Sequence, residues 1–171
     1  KAYHVLSCLE NVGGELNAYT TKEETCIHAS FLREYYNKAI ELISDVAFNS
    51  TYPENELEKE KEVILDEINS YLDSPAEEIY DDFENNIYKG HEMGRNILGT
   101  RELVEGFTRD DLCSFLKNNY STDRMVIATI GDISFEKFKS KIIAHFGDYK
   151  RYDTVYHRTK FTPLPAFNVV H

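Results

Sequence analysis

The alternation of hydrophobic and polar residues predicts two elements near the start of the chain. Apolar residues first recur at helical spacing, and the run ends at a glycine pair, which predicts a helix over residues 2–12. These residues are Val5, Leu6, Leu9 and Val12. Apolar and polar residues then alternate over residues 15–21 and 25–32, on either side of a short polar turn. Two alternating runs around such a turn predict an antiparallel hairpin.

Helical spacing dominates the rest of the chain. The predicted helices span residues 34–48, 54–72, 74–88, 108–119 and 134–146. Ser74 and Ser134 stand at N-cap positions, and Pro75 stands at the first helical position. The nearly continuous apolar run of residues 125–130 predicts one buried strand. A hairpin followed by several helices and a single strand predicts an α+β domain.

Composition excludes several classes of protein. The chain has 171 residues and a formal net charge of −11, which argues against phosphate backbones and anionic membrane surfaces as partners. No apolar run approaches the ~18 residues of a membrane span. Cys8, Cys26 and Cys113 form no C-x-x-C pair, so a disulfide scaffold is not indicated. A reducing compartment, the cytoplasm, is the expected location.

Two carboxylates share one face of the predicted helix over residues 54–72. Glu60 and Glu67 are seven residues apart, about 10 Å along the helix axis, and they flank a stripe that is predicted to be buried. The stripe consists of Leu57, Ile64, Ile68 and Leu72, and the solvent side carries Glu62, Asp66 and Asn69. A carboxylate beside an apolar stripe predicts a cation partner, either a metal or a Lys or Arg side chain. Spacing alone leaves open a solvated pair or a pair bridged to lysines, which is the commoner arrangement.

The histidines alone give no metal site. No two of the six are three or four residues apart. His91-Glu92 resembles the start of H-E-x-x-H, but Arg95 stands where the second His should be, and Gly90 and Gly94 disfavour a helix there. The sequence also lacks G-x-S-x-G and any Gly-rich phosphate loop. The H-E-x-x-H motif at His91 is therefore rejected, and no motif for a serine nucleophile is found.

Four segments occur in the order found in one protease family. They read GGELNAYTTKE at 13–23, EKEVILDEI at 60–68, GRNILGT at 94–100, and NY at 119–120 through GD at 131–132. The first resembles the G-G-x-x-N-A-x-T segment of pitrilysin, insulysin and mitochondrial processing peptidase. The second resembles that family's third-ligand helix. The chain up to residue 147 is identified as a member of this family, which implies an α+β half-domain with an antiparallel sheet packed against several helices.

The resemblance implies a zinc metalloendopeptidase that acts on peptides or extended polypeptide segments. The family is the inverzincin group, whose H-x-x-E-H helix gives two His ligands and a Glu general base. By resemblance, Glu67 is the third zinc ligand, and Glu60 is a neighbouring carboxylate that supports the site. Three protein ligands leave an open position where Zn²⁺ acidifies a water for attack on a peptide carbonyl.

One departure from the family pattern bears on activity. The sequence contains no H-x-x-E-H. Residues 1–147 are therefore expected to form a partial N-terminal peptidase domain that lacks this segment and the first strands of its sheet, and to be inactive alone. Residues 148–171 lack periodicity and are expected to link to a second homologous half-domain. A homodimer is a further expectation.

The family's N-A-x-T strand implies where a substrate would bind. In the family this strand is an exposed sheet edge that pairs with extended substrate, and Asn17, Ala18 and Tyr19 would take that role here. Edge-strand backbone groups bind a peptide main chain with little demand on its sequence. The residues alone leave open that Asn17 only braces the hairpin turn. Two other functions remain in competition: a non-catalytic structural or partner-binding member of the family, and a metal-free acidic binding domain.

Overall fold

The chain forms seven α-helices and one two-stranded sheet within the residues that the structure describes. The structure is a computed structural model that describes residues 2–149 and 159–162. In chain order the elements are α1 (Ala2–Glu10), β1 (Glu15–Thr20), β2 (Thr25–Ser30), α2 (Tyr36–Phe48), α3 (Glu54–Leu72), α4 (Pro75–Ile87), α5 (Arg101–Gly106), α6 (Arg109–Asn119) and α7 (Phe135–Phe146). The predicted α+β class is confirmed.

These elements divide into two compact units. The first comprises Lys1–Tyr52 and Asp110–Asp153, and the second comprises Pro53–Arg109 and Thr154–His171. The candidate carboxylates therefore belong to the second unit and the hairpin to the first. Most of the predicted linker, residues 150–158 and 163–171, lies outside the described residues.

The core of the first unit lies between α1, α2 and the hairpin. Leu9 from α1 and Ala39 and Leu42 from α2 are buried together. Half-buried residues pack against them from β1, β2 and the neighbouring helix turns, namely Val5, Cys8, Leu16, Ala29, Phe31 and Val46. One face of the alternating hairpin pattern thus joins the core.

The glycine pair after α1 turns the chain into β1. Gly13 has a φ of 77°, which a side chain would strain, and its amide bonds the carbonyl of Glu10. Gly14 is required for a different reason: a Cβ there would lie 2.9 Å from the carbonyl oxygen of Ser30. The hairpin therefore approaches α1 at a distance that only glycine permits.

A second layer of the first unit joins α7 to α2. The Ser44 hydroxyl donates to the carbonyl of His145 at 2.8 Å. The rings of Phe48 and Phe146 meet edge-on, and those of Phe48 and Tyr149 stack with centroids 3.8 Å apart. These contacts fix the last helix against the helix that carries the core.

The predicted buried strand over residues 125–130 is wrong. Met125 has extended φ and ψ of −100° and 137°, but no strand pairs with this segment within the described residues. Val126 is 95% exposed and Ile130 is 104% exposed, whereas Met125 and Ile127 are half-buried. The apolar pattern is that of a strand, but a strand is defined by hydrogen bonds to a neighbour, and the described residues supply none.

The second unit packs α4 and α5 against α3. Ser74 and Pro75 begin α4 as predicted, although the Ser74 hydroxyl makes no capping bond. The half-buried residues of α4 are mostly acidic, whereas its large apolar residues are exposed: Ile79, Tyr80, Phe83 and Ile87. The six-residue helix α5 was not predicted from the sequence. Its N-cap is Thr100, whose hydroxyl accepts from the amide of Leu103.

Candidate functional site

Helix α3 carries both candidate carboxylates. It spans the predicted residues, begins after Pro53, and has Glu54 and Glu56 in its first turn, where negative charge favours the helix dipole. Glu60 and Glu67 lie on this one helix, and both are exposed. The geometry therefore places the two carboxylates on a single regular element.

The stripe of α3 that faces its own unit differs from the prediction in two positions. Leu57, Ile64 and Ile68 are half-buried as expected, but Leu72 is 60% exposed, so its predicted burial is wrong. Lys61 takes a place in the stripe instead, and its side chain is only 13% exposed. A long aliphatic stem lets lysine follow an apolar stripe while its ammonium finds polar partners, which a hydrophobic pattern does not reveal.

Glu67 lines an open depression on the surface of α3. Val63, Asp66, Ser70 and Tyr71 of the same helix and Leu98 complete its wall. Neither Glu60 nor Glu67 forms an ion pair with a Lys, Arg or His within the part of the chain that the structure describes. The lysine-bridged arrangement that the spacing left open is therefore not formed among those residues, and the solvated arrangement stays open.

The described residues do not form a complete metal site. No group of three or more His, Cys, Asp or Glu side chains in residues 2–149 and 159–162 could hold a metal ion. A catalytic zinc site needs three protein ligands. The described residues alone therefore do not provide the three ligands of such a site.

A separate acidic cavity of about 190 Å³ lies between α3, α4 and the loop before α5. Its polar wall includes Glu78, Asp81, Asp82 and Asn85 of α4. The side-chain amide of Asn96 donates to Asp81 at 2.6 Å, and its oxygen accepts from the amide of Leu98. This cavity was not predicted. The acidic spacing along α4 is a signal for it, but only the position of α3 shows that the acidic face points inward.

His91 has a structural role in the same unit. Residues 92–94 form a short 3-10 turn, and the His91 ring accepts from the amide of Met93 at 3.2 Å. The other ring nitrogen lies 3.0 Å from the carbonyl oxygen of Thr159. Both ring nitrogens thus lie within hydrogen-bond distance of backbone atoms.

Strand β1 has one free edge within the described sheet. It pairs only with β2, antiparallel, with Asn17 opposite His28, Ala18 opposite Ile27 and Tyr19 opposite Cys26. The amide of Thr21 bonds the carbonyl of Glu24 in the turn. Because hydrogen-bonded and non-hydrogen-bonded pairs alternate, the backbone groups of Ala18 point away from β2, toward the free edge.

The side chain of Asn17 acts on that edge and not on the turn. Its oxygen accepts from the outward amide of Ala18 at 2.8 Å. The turn is braced instead by the Thr21 hydroxyl, which accepts from the amides of Glu23 and Glu24. The alternative role for Asn17, as a brace of the turn, therefore does not describe this hairpin.

Tyr19 lies on the outer face of the hairpin and is half exposed. The neighbouring Cys26 side chain raises the pKa of Tyr19 above its ordinary value, chiefly through a hydrogen bond to the hydroxyl. The ring also lies near that of His28, with centroids 6.1 Å apart. Asn17 and Tyr19 thus share the face of β1 that does not enter the core.

Solved structures define the class of fold. A protease from Helicobacter pylori superposes with a TM-score of 0.79 over 89% of this chain and 37% of that chain, at 23% identity. The peptidase M16 inactive domain from Pseudomonas fluorescens gives a TM-score of 0.80 over 91% of this chain and 38% of that chain, at 16% identity. The predicted peptidase half-domain fold is confirmed.

Family models assign the chain. The model described as Insulinase (Peptidase family M16) matches residues 2–101, and the model described as Peptidase M16 inactive domain matches residues 106–169. The first covers more than half of the chain, so the chain belongs to peptidase family M16. The membership expected from residues 13–23 and 60–68 is confirmed.

Curated relatives carry the names of zinc proteases and processing peptidases. The uncharacterized zinc protease YmxG of Bacillus subtilis is 38% identical over 87% of this chain and 36% of its own length. The probable mitochondrial-processing peptidase subunit beta of Schizosaccharomyces pombe is 37% identical over 81% of this chain and 30% of its own length. This chain thus spans about a third of the length of these relatives.

Proposed function

We propose that this chain supplies one zinc ligand and a peptide-binding strand to a zinc metalloendopeptidase. Membership of family M16 supports this proposal at the level of the whole protein. The observation that carries it is Glu67, an exposed carboxylate on a regular helix that lines an open depression and has no cationic partner among the described residues. Glu60, two turns earlier on α3, is the supporting carboxylate.

The remaining ligands would come from an H-x-x-E-H segment, which this sequence does not contain. When bound by three protein ligands, zinc supplies an acidified water and a polarised peptide carbonyl. The contribution of this chain is to hold Glu67 in place for that site. We therefore expect the chain alone to bind zinc weakly and to hydrolyse no peptide, because affinity comes from several ligands acting together.

Strand β1 is the proposed substrate contact. The outward amide and carbonyl of Ala18 offer main-chain hydrogen bonds to an extended peptide. Asn17 already occupies the Ala18 amide at 2.8 Å, so a bound peptide would displace the Asn17 oxygen or accept a bond beside it. Tyr19 would flank the peptide on the outer face.

The direct test joins the chain at Lys1 to a family segment that carries H-x-x-E-H. We expect this hybrid to bind one zinc and to cleave a fluorogenic peptide. Glu67→Gln should abolish tight zinc binding, and Glu60→Gln should weaken zinc affinity about 10- to 100-fold, as an outer-shell change does. Glu62→Gln is the matched control, because Glu62 is an exposed carboxylate on the solvent side of the same helix. Tight zinc binding by the Glu67→Gln hybrid would refute the assignment.

A second experiment tests β1. An uncleaved peptide added to the hybrid should slow hydrogen exchange at the amides of residues 16–20. Asn17→Ala should change the affinity for that peptide while leaving zinc affinity unaltered. Protection confined to another segment would move the substrate site away from β1.

A non-catalytic role is the second candidate function. The match of residues 106–169 to the M16 inactive-domain model favours it. In that case the chain would be a structural or partner-binding half that pairs with a second homologous half-domain or with its own copy. A hybrid that folds and neither binds zinc nor cleaves peptide would support this candidate. A cytoplasmic location stays an expectation, based on three cysteines that form no C-x-x-C pair in the sequence.

A further inference from the structure

The ammonium of Lys61 connects two helices of the second unit. Lys61 is the charged member of the inner stripe of α3, and its side chain is 13% exposed. Burying an ammonium is costly unless it is hydrogen-bonded. It donates to Glu58 Oε1 at 2.8 Å and to the backbone carbonyl of Glu105 at 3.2 Å. The second bond reaches the end of α5, 44 residues further along the chain.

Helix α5 depends on such contacts. A helix of six residues is unstable alone, because nucleation is unfavourable and few internal bonds follow. Its last carbonyls have no partner within the helix, and Lys61 satisfies that of Glu105. At the other end, Arg101 donates to Asn69 Oδ1 at 2.8 Å and lies 3.6 Å from the carboxylate of Glu105.

These contacts form one polar chain along α3. The chain runs from Glu58 through Lys61, Glu105 and Arg101 to Asn69. The start of α5 lies beside Asn69 and its end beside Lys61, so the two helices run antiparallel. The two anchor points on α3 are eight residues apart, or about 12 Å, and Glu67 lies between them.

The two contacts with α5, at Lys61 and Asn69, restrict the rotation of α3 about its own axis. Lys61 and Glu67 are about 120° apart around the helix, so the ammonium and the carboxylate face different directions. A carboxylate about 5–6 Å from the axis moves about 1 Å when the helix turns by about 10°. A displacement of about 1 Å is enough to cost about 10²-fold in an active site.

We propose that Lys61 and Arg101 are positioning residues that hold α3 at the rotation required by Glu60 and Glu67. This inference rests on the proposed function, because the rotation of α3 affects zinc binding only if Glu67 is a ligand. Lys61 touches neither carboxylate and acts through the backbone of α3. The polar chain sets the angle of the helix together with the half-buried stripe of Leu57, Ile64 and Ile68.

The test compares two lysine variants in the hybrid that carries H-x-x-E-H. Lys61→Met keeps the aliphatic stem and removes the ammonium, and Lys61→Arg restores a donor. Lys59→Met is the matched control, since Lys59 is exposed and pairs with Glu56 within the same helix. Zinc affinity is measured by chelator competition, and ligand geometry by the visible absorption of the cobalt-substituted hybrid.

We expect Lys61→Met to weaken zinc affinity about 10- to 100-fold and to change the cobalt spectrum. Lys61→Arg should recover most of the affinity, and Lys59→Met should match the parent in both measurements. If Lys61→Met does not fold, Asn69→Ala breaks the other anchor at an exposed position and should shift both readouts in the same direction.

The outcomes separate the two proposals. If Glu67→Gln abolishes zinc binding while Lys61→Met and Asn69→Ala both match the Lys59→Met control, the positioning role is wrong and the proposed function stands. If Glu67→Gln leaves zinc binding intact, Glu67 is not a ligand, and both proposals fail.

Discussion

The unit that contains the hairpin and the unit that contains Glu60 and Glu67 are stabilised in different ways. Within the described residues, the buried apolar side chains of the first unit come from three helices and include Leu9, Ala39, Leu42 and Phe146. The second unit contributes Val104 alone to that group, and α3 has no buried residue. Burial therefore dominates in the first unit, whereas half-buried stripes and polar contacts between helices dominate in the second.

This difference has a consequence for function. Local stability follows the number of buried apolar contacts, and ligand-binding elements are commonly drawn from the less stable part of a protein. The candidate carboxylates are carried by the part with little core, and the candidate peptide-binding strand rests on the part with more. Polar contacts between helices, such as those of Lys61 and Arg101, therefore matter more for the position of α3 than they do for the hairpin.

The largest expected effect comes from the core of the first unit. Leu9 is fully buried, so Leu9→Ala should lower the free energy of unfolding by about 3 kcal/mol through lost transfer energy and a residual cavity. Urea titration followed by circular dichroism measures this loss. Leu6→Ala on the same helix is the control, because Leu6 is 38% exposed and should cost less than about 1 kcal/mol.

Hydrogen exchange in the Leu9→Ala variant sharpens the comparison. Amides of α1, β1, β2 and α2 should lose protection, while those of α3 and α5 should change little. An equal loss of protection in both units would mean that they unfold as one, and the contrast between them would then have no thermodynamic meaning.

The next largest effect on stability comes from substituting two glycines, one in each unit, and it has opposite signs in the two units. A Cβ at Gly14 would lie 2.9 Å from the Ser30 carbonyl oxygen and 3.2 Å from Leu9 Cβ, so Gly14→Ala should cost about 1–3 kcal/mol. A Cβ at Gly106 meets nothing within 4 Å. Gly106→Ala should stabilise α5 by about 0.5 kcal/mol through helix propensity. Thermal unfolding of both variants is the measurement, and a stable Gly14→Ala protein would contradict the close approach of Ser30 and Leu9 to Gly14.

Local patterns predicted the elements that carry the site. The bounds of α3 agree with the prediction because 19 residues of regular spacing leave little choice of phase. The hairpin was predicted for a similar reason, since alternation on both sides of a polar turn specifies the pairing partner. The zinc role of Glu67 came from family resemblance, because two carboxylates seven residues apart are as compatible with solvent as with a metal.

Interactions between distant residues set the limit of what could be predicted. The partner of Lys61 is a backbone carbonyl in α5, and backbone groups leave no mark in a sequence. Six residues are too few to display a helical period, so α5 itself was missed. The strand over residues 125–130 was wrongly predicted for the converse reason. The composition of this segment suits a strand, but pairing depends on a neighbouring strand that the segment does not specify.

A smaller effect on the free energy of unfolding should appear at alkaline pH for the first unit and at acid pH for the second. Burial raises the pKa of Tyr52 above its ordinary value of 10.0. Its contribution to stability is therefore fully present below about pH 10 and is lost as the pH rises through the folded-state pKa. In the second unit, two hydrogen bonds lower the pKa of the Glu102 carboxyl. The larger effect comes from its own backbone amide and the smaller from the Thr100 side chain. That contribution is present above the unfolded pKa and is lost as the pH falls through the folded one.

Urea unfolding across the pH range tests both directions. Tyr52→Phe should flatten the decline in the free energy of unfolding at alkaline pH and leave the acid side unaltered. Glu102→Gln should act only on the acid side, and weakly, because its carboxylate is fully exposed. A Tyr52→Phe protein with the same alkaline decline as the parent would show that another group controls it.

The smallest effect on stability is expected on the apolar face of α4. Ile79 and Phe83 are 62% and 63% exposed, so the double variant Ile79→Gln/Phe83→Gln should change the free energy of unfolding by less than about 0.5 kcal/mol. Val104→Ala, at a buried position of the same unit, should cost about 1–3 kcal/mol and serves as the control. Because exposed apolar patches promote association, the double variant should also sediment with a smaller oligomeric fraction than the parent. If it lost as much stability as Val104→Ala, the apolar face of α4 would be buried in solution. The second unit would then have a core of its own, and Glu67 would be supported by burial and not by the polar contacts of α5.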